Sequence, residues 1–121
     1  MGIRVVIFKG IFKSFSLLNE EQYNTIGAFW DEMEELYGLE NLQGLGYKWE
    51  GNTIFYAIGL KVGEIKGYNL CIELPDEHWT IVEGETEKLK ELYDEIYKAG
   101  PLKYELETFN ENGRCRIKYY R

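Results

Sequence analysis

The sequence predicts an α+β domain in which a β-α-β-β unit occurs twice, with an antiparallel sheet and both helices on one side of it. Two segments have helical periodicity, and each is preceded by one strand pattern and followed by two. The order and approximate length of the elements match between residues of about 1–63 and 76–121, which favours a duplicated unit within a single domain of 121 residues. Two such halves side by side would leave a groove between them.

The first half begins with a strand over 3–13, a stretch rich in β-branched and aromatic residues. A helix follows over about 20–37, because apolar residues recur there at steps of three and four. Asn19 and Gln22 form a capping-box pattern at the start of this helix, and we expect Gly38 to end it.

Two strands, 43–49 and 53–62, come next and form a hairpin around a loop that contains glycine. The second strand is apolar at both alternating sets of positions, so we expect both of its faces to be covered. Tyr56 lies in this strand, and its hydroxyl needs a hydrogen-bond partner once the ring is buried.

An extended stretch that ends at Pro75 leads into the second half. This half contains a strand over 78–84, a helix, and two final strands over 103–109 and 114–120. Asn112–Gly113 is a hairpin signal between the last two strands.

The second helix is expected to begin after Thr86 as its N-cap and to stop at Gly100–Pro101. Its apolar residues occupy positions i, i+3, i+4, i+7 and i+8, which make a stripe on one helical face: Leu89, Leu92, Tyr93, Ile96 and Tyr97.

The strand 103–109 places two carboxylates, Glu105 and Glu107, on one face together with Phe109. One interpretation is that this face is solvated, since exposed acids are common on strands. The other is that it lines the groove, where burial would raise a carboxyl pKa and suit cation binding or acid–base catalysis. The opposite face is expected to pack on the helix and carries Tyr104, Leu106 and Thr108.

Two tryptophans have open assignments. Trp30 lies on the apolar stripe of the first helix, where a Trp is usually a core residue. Trp79 opens a strand and fits either a core position or the rim of a site. His78 is the only histidine of the sequence, and no nucleophile motif accompanies it, so we expect a surface position and no catalytic triad.

Composition excludes several classes of function. The formal net charge is −7 and the basic residues are scattered, so direct nucleic-acid binding is not expected. Two cysteines and one histidine cannot build a structural zinc site, and we expect neither metal nor cofactor. The opening segment MGIRVVIFKG is too short and too charged for a signal peptide, and no apolar run reaches membrane-spanning length, so we expect a cytoplasmic protein without membrane contact.

Five segments in order resemble the GyrI-like small-molecule-binding domains: FWDEMEELYG, NLQGLGY, IFYAIGLKV, IELPDEHWTIVEG and LETFNENGRCRIKYY. That family includes the effector-binding domains of multidrug-responsive and AraC-type regulators, DNA gyrase inhibitor proteins and stand-alone binding proteins. The resemblance implies two SHS2-like halves with a ligand groove between them. No helix-turn-helix region is present, so the resemblance is to a stand-alone member.

The resemblance also implies site residues. The family's acidic position at the pocket floor falls on Glu107, and Phe109 stands where the family has Tyr. Glu105 is the neighbour on the same face and becomes the floor if the register slips by two. The Pro-x-x-x-aromatic pattern implies a pocket wall at Trp79, and the remaining aromatic positions of the groove are Trp30 and Tyr56.

The resemblance implies an effector-binding protein for hydrophobic, aromatic and often cationic small molecules. An alternative is a hydrolase of cyclopropane-bearing DNA-alkylating natural products, in which Trp30 and Glu107 would be catalytic. A third possibility is sequestration of a protein partner, as gyrase inhibitors do. A homodimer through an edge strand is also conceivable.

Overall fold

The computed structural model describes residues 5–16, 21–50 and 53–121. Within them, a curled antiparallel sheet of seven strands is combined with two helices, an α+β fold as predicted. The strand order is β4-β1-β3-β2-β6-β7-β5. The elements are β1 Val5–Ser16, α1 Glu21–Tyr37, β2 Leu42–Glu50, β3 Thr53–Leu60, β4 Leu70–Pro75, β5 Thr80–Glu85, α2 Leu89–Lys98, β6 Tyr104–Phe109 and β7 Arg114–Tyr120.

The extended stretch before Pro75 forms β4, an edge strand that the β-α-β-β pattern does not contain. β1 has twelve residues, whereas its neighbour β3 has eight. The second part of β1, from Ile11 to Ser16, pairs with β3, and the first part, from Val5 to Gly10, pairs with β4. β4 therefore supplies backbone partners to the part of β1 that extends past β3.

The helix ends follow the sequence signals in part. Gly38 ends α1 with a φ of 86°, and its N–H donates to the carbonyl of Glu34 at 2.8 Å. Asn19, the expected N-cap of α1, lies outside the described residues. The expected N-cap at Thr86 is wrong, because Thr86–Lys88 form a 3-10 turn and Thr86 therefore lies inside the helical backbone. No helix in the described ranges is long and apolar enough to cross a lipid bilayer.

The centre of the sheet is buried on both faces. β3 confirms the expectation from its sequence, since Tyr56 and Ile58 point to the helices while Ala57 points the other way. The helix-side core includes Phe29, Trp30, Met33, Leu42 and Ile65. The core on the opposite face includes Phe8, Leu45, Tyr47, Ala57 and Leu74.

The orientation of β6 is the reverse of the packing expected from its sequence. Tyr104 and Leu106 pack in the core opposite the helices, whereas Glu105, Glu107 and Phe109 are buried on the helix side. The alternation of side chains along a strand assigns residues to two faces, but it does not determine which face packs against a helix. The acids can occupy the inner face because hydrogen-bond donors from other elements reach them there.

Candidate functional site

A cavity of about 840 Å³ opens over the helix side of the sheet, between α1 and α2. Its volume lies within the range usual for small-molecule sites. Its walls come from α1 and the turn after it, β3, α2 and β6. Their aromatic and aliphatic side chains are Ile26, Trp30, Leu39, Ile54, Tyr56, Leu89, Tyr93, Tyr97 and Phe109.

Among the described residues, the charged side chains that line the cavity are all acidic. Asp31, Glu34 and Glu111 are exposed, whereas Glu105 and Glu107 form the floor and are each 4% exposed. No Lys, Arg or His belongs to the described lining, and no described basic side chain forms an ion pair with either floor carboxyl. The floor is therefore a buried acidic pair without a protein counter-ion among the described residues.

Glu107 is held by hydrogen bonds from two elements of the fold, and a third element supports one of the donors. Tyr56 on β3 donates to its Oε1, and Tyr93 on α2 donates to its Oε2. The indole Nε1 of Trp30 on α1 donates to the hydroxyl oxygen of Tyr56 at 2.7 Å. Both oxygens of Glu107 thus accept a phenol hydrogen, which satisfies a buried carboxylate in the absence of a basic residue.

Glu105 has a different environment. Its Oε2 accepts a hydrogen bond from the hydroxyl of Tyr97 at 2.7 Å. The Tyr97 ring is stacked on Tyr93, with centroids 5.5 Å apart and planes at 16°, and Tyr97 is 38% exposed. Tyr97 therefore connects the floor of the cavity to solvent.

Burial raises the pKa of both floor carboxyls. Desolvation, reinforced by the charge of Glu107, raises the pKa of Glu105 from 4.5 to about 8, although the bond from Tyr97 opposes the rise. Burial also raises the pKa of Glu107, but the bonds from Tyr56 and Tyr93, with the indole N–H of Trp30 close by, oppose the rise. The phenols remain donors, because burial raises the pKa of Tyr56 and Tyr93 well above 10. The ligand-free pair therefore shares at least one proton near neutral pH.

Two glycines of β2 make room for this network. β2 lies between β3 and β6, with Gly44 opposite Glu107 and Gly46 opposite Glu105. A Cβ at Gly44 would collide with the hydroxyl of Tyr56, and a Cβ at Gly46 would lie 2.6 Å from Oε1 of Glu105. Glycine at alternate positions on one strand face is the sequence signal for such a close approach of other groups to the strand.

The structure brings five of the six proposed site residues together. Glu105, Glu107, Trp30, Tyr56 and Phe109 all line the cavity. Trp30 combines both roles considered for it, since it is buried in the core and also forms part of the wall. Its indole packs edge-to-face on Phe109, with centroids 4.9 Å apart.

Trp79 does not line the cavity, in contrast to the wall position that the resemblance implied. It packs on the opposite face of the sheet, against Tyr104 and Tyr120, and Lys118 lies over its ring. Its Nε1 donates to the carbonyl of Pro75 at 2.6 Å. The Pro-x-x-x-Trp spacing thus ties the ends of a turn together and leaves the ring remote from the acids.

The sequence reasoning missed Tyr93 and Tyr97 as partners of the acids. Both belong to the apolar stripe of the second helix, four residues apart, a pattern that by itself predicts only packing. A buried tyrosine hydroxyl requires a partner, and two acids on an inward strand face need donors. Matching these two requirements could have paired the helix with β6 from the sequence.

The described residues offer neither a histidine-based catalytic site nor a metal site. His78 is exposed in the turn before β5, with a φ of 71°. No group of three His, Cys, Asp or Glu side chains within the described ranges is placed to hold a metal ion. The cavity with the buried Glu105 and Glu107 is therefore the candidate functional site.

No protein-family model and no curated protein matches the sequence. Solved structures with a similar fold include SAV2435 bound to tetraphenylphosphonium, which is 14% identical with a TM-score of 0.63 and covers 98% of this chain and 93% of its own. A second solved structure is a protein from Staphylococcus aureus MU50, provisionally described as a bacterial transcription regulation protein. It is 17% identical with a TM-score of 0.61, and the match covers 98% of this chain and 97% of that protein. At these identities the likeness shows the fold, which agrees at a coarse level with the resemblance to GyrI-like domains.

Proposed function

We propose that this domain binds hydrophobic, aromatic cations of small-molecule size in the cavity between α1 and α2. The observation that carries the proposal is the buried pair Glu105 and Glu107, which lies under aromatic walls without a described basic partner. A buried carboxylate without a counter-ion is costly, and a bound cation would supply the missing positive charge. The exposed acids around the pair would attract the same class of ligand.

The walls suit the apolar part of such a ligand. Trp30, Phe109, Tyr93 and Tyr97 offer ring surfaces at the sides of the cavity, and each cation–π contact contributes about 0.5–2 kcal/mol. SAV2435, which shares this fold, was solved with tetraphenylphosphonium, a cation surrounded by phenyl rings. That ligand supports the same chemical class for this domain and supplies a probe.

The proposal includes a duplicated origin for the domain, with halves at about 1–63 and 76–121. Reading outward from the centre of the sheet, the first half has the order β2-β3-β1 and the second half β6-β7-β5. In each half the middle strand of this order, β3 or β7, is the last strand of the β-α-β-β unit along the sequence. This match supports two copies joined through β2 and β6. β4 is then an addition to the first copy, and the cavity lies over the junction.

A hydrolase of cyclopropane-bearing alkylating compounds is the second candidate. The raised pKa of Glu105 favours it, since a value of about 8 places an acid–base group near neutral pH. Both oxygens of Glu107 already accept phenol hydrogens, whereas Oε1 of Glu105 has no donor among the described groups. If the domain is an enzyme, Glu105 would be the carboxyl better placed to bind a water, with Glu107 and Trp30 holding the substrate.

Calorimetric titration with tetraphenylphosphonium and tetraphenylborate tests the proposed function. The two ions have nearly the same shape and opposite charge, so a cation site binds the first and rejects the second. We expect Glu107→Gln to weaken binding of the cation at least tenfold, because it removes the counter-ion. Glu73→Gln, which removes an exposed charge on β4, is the matched control and should bind normally. Equal binding of both ions, or of neither, contradicts the proposal.

The hydrolase candidate has a separate test. The domain is incubated with a cyclopropane-bearing alkylating compound, and loss of substrate is followed by mass spectrometry. Turnover that disappears in Glu105→Gln and Glu107→Gln but persists in Glu73→Gln would establish an enzyme. Saturable binding without substrate loss would leave binding as the function.

A further inference from the structure

The two floor carboxyls differ in the hydrogen bonds that they accept. Glu107 accepts one phenol hydrogen on each oxygen, from Tyr56 and Tyr93. Glu105 accepts one, from Tyr97, and no described donor reaches its Oε1. Because donated hydrogen bonds stabilise the ionised form of a carboxyl, the environment favours charge on Glu107 over charge on Glu105.

The surrounding groups do not reverse this difference. α2 contributes the neutral phenols of Tyr93 and Tyr97, β3 contributes Tyr56, and the described part of β2 contributes Gly44 and Gly46. The remaining titratable groups that face the pair are acidic or neutral and lie on α1, on the turn after β6 and on β7: Asp31, Glu34, Glu111, Cys115 and Tyr119. None of them supplies a positive charge that would hold both carboxyls ionised.

We propose that the two carboxyls have separate roles, with Glu107 as the ionised counter-ion of a ligand cation and Glu105 as a protonated carboxyl that donates a hydrogen bond to an acceptor on the ligand. This inference rests on the proposed binding function and narrows its ligand class. The preferred ligand carries a positive charge and, on an attached ring or arm, a neutral acceptor such as a carbonyl oxygen.

The chemistry of Glu105 fits a donor role. Its carboxyl lines the cavity, and Oε1 lies beside Gly46, a residue with no side chain to cover it. With a pKa of about 8, Glu105 keeps its proton at neutral pH. A protonated carboxyl is one O–H donor with remaining acceptor capacity, so it can accept from Tyr97 and donate to a ligand at the same time.

Matched tetraarylphosphonium ions test the division of roles. The probes are tetraphenylphosphonium, its para- and meta-acetyl derivatives, and the isopropyl derivatives of the same shape, which lack the carbonyl oxygen. All of them carry a permanent charge, so only the protein titrates. We expect an acetyl derivative to bind about tenfold more tightly than its isopropyl partner, as one buried hydrogen bond allows.

Two variants and the pH dependence locate the donor. Glu105→Gln replaces the O–H by an N–H donor and should keep the preference for the acetyl group, whereas Glu105→Leu should lose it. In the wild type the preference should fall as the pH rises through about 8, while the affinity for tetraphenylphosphonium rises because Glu105 becomes charged. The wild-type pH series decides the matter even if Glu105→Leu does not fold.

The failures of the two proposals are distinguishable. Tight binding of tetraphenylphosphonium with equal affinities for acetyl and isopropyl derivatives on both sides of the pKa overturns the donor role and leaves the binding function. A preference that survives in Glu105→Leu also overturns it. If the folded wild type binds none of the phosphonium ions, the proposed function itself fails, and the donor role with it.

Discussion

Tyr56 donates a hydrogen bond to Glu107 although the two residues lie on strands that are not neighbours. Tyr56 is on β3 and Glu107 is on β6, and β2 runs between them. The phenol passes over β2 at Gly44, where the absence of a side chain leaves room for its hydroxyl. This contact joins the two halves of the sheet at the floor of the cavity.

Gly44→Ala should break that contact. The added methyl group would occupy the place of the Tyr56 hydroxyl and would press on Trp30, so we expect the free energy of unfolding to fall by about 1–3 kcal/mol. Urea unfolding measures the change. Gly27→Ala is the control, because a Cβ at this α1 position meets open space and should stabilise the helix by up to about 1 kcal/mol. Unchanged stability of Gly44→Ala would show that the phenol does not cross β2 at this point.

The tyrosines of α2 should each control one carboxyl. Tyr97→Phe removes the donor to Glu105 and should raise the pKa of Glu105 above about 8, because this bond lowers it. Tyr93→Phe should raise the pKa of Glu107 for the same reason. Carbon-13 NMR of the glutamate carboxyls, titrated with pH, measures both values. If neither variant moves its carboxyl, the donors are not bonded as described.

The ligand-free domain should lose stability as the pH rises. The pKa of Glu105 is about 8 in the folded chain against an ordinary value of 4.5, so the folded state retains a proton that the unfolded state releases. This contribution is complete below the unfolded pKa and disappears as the pH rises through about 8. The slope is at most about 1.4 kcal/mol per pH unit for one group.

Glu105→Gln should remove this slope, since glutamine has no proton to lose. Unfolding in urea at a series of pH values compares the variant with the wild type, and Glu73→Gln controls for the change in net charge. Parallel pH profiles for the wild type and Glu105→Gln would contradict the protonated state of Glu105.

Tryptophan fluorescence should separate Trp30 from Trp79. Trp30 lines the cavity, so Trp30→Phe should lose much of the emission change that a bound phosphonium ion causes. Trp79 packs on the opposite face of the sheet, and Trp79→Phe should retain both the signal and the affinity. A signal lost in Trp79→Phe and kept in Trp30→Phe would place the ligand on the other face.

Most elements of the fold could be predicted from the sequence because their signals are local. The periodicity of α1 and its glycine stop at Gly38 predict a helix close to the observed Glu21–Tyr37. The turn signal at Asn112–Gly113 is likewise realised, with Gly113 at a φ of 77° between β6 and β7. β4 is harder to recognise, because its partner is the first part of β1, about sixty to seventy residues earlier in the chain.

The repeat of a regular backbone is enough to place two acids on one face of the strand 103–109 and two tyrosines on one stripe of the second helix. That these two faces meet depends on how the helix packs on the sheet, which neither repeat specifies. Exposed acids are the common outcome for a strand, and the cost of burying Glu105 and Glu107 is reduced here by phenols from β3 and α2. Tyr56 lies 51 residues from Glu107, and Tyr93 and Tyr97 lie 14 and 8 residues from their acids on a separate helix, so the pattern of the strand itself could not indicate these donors.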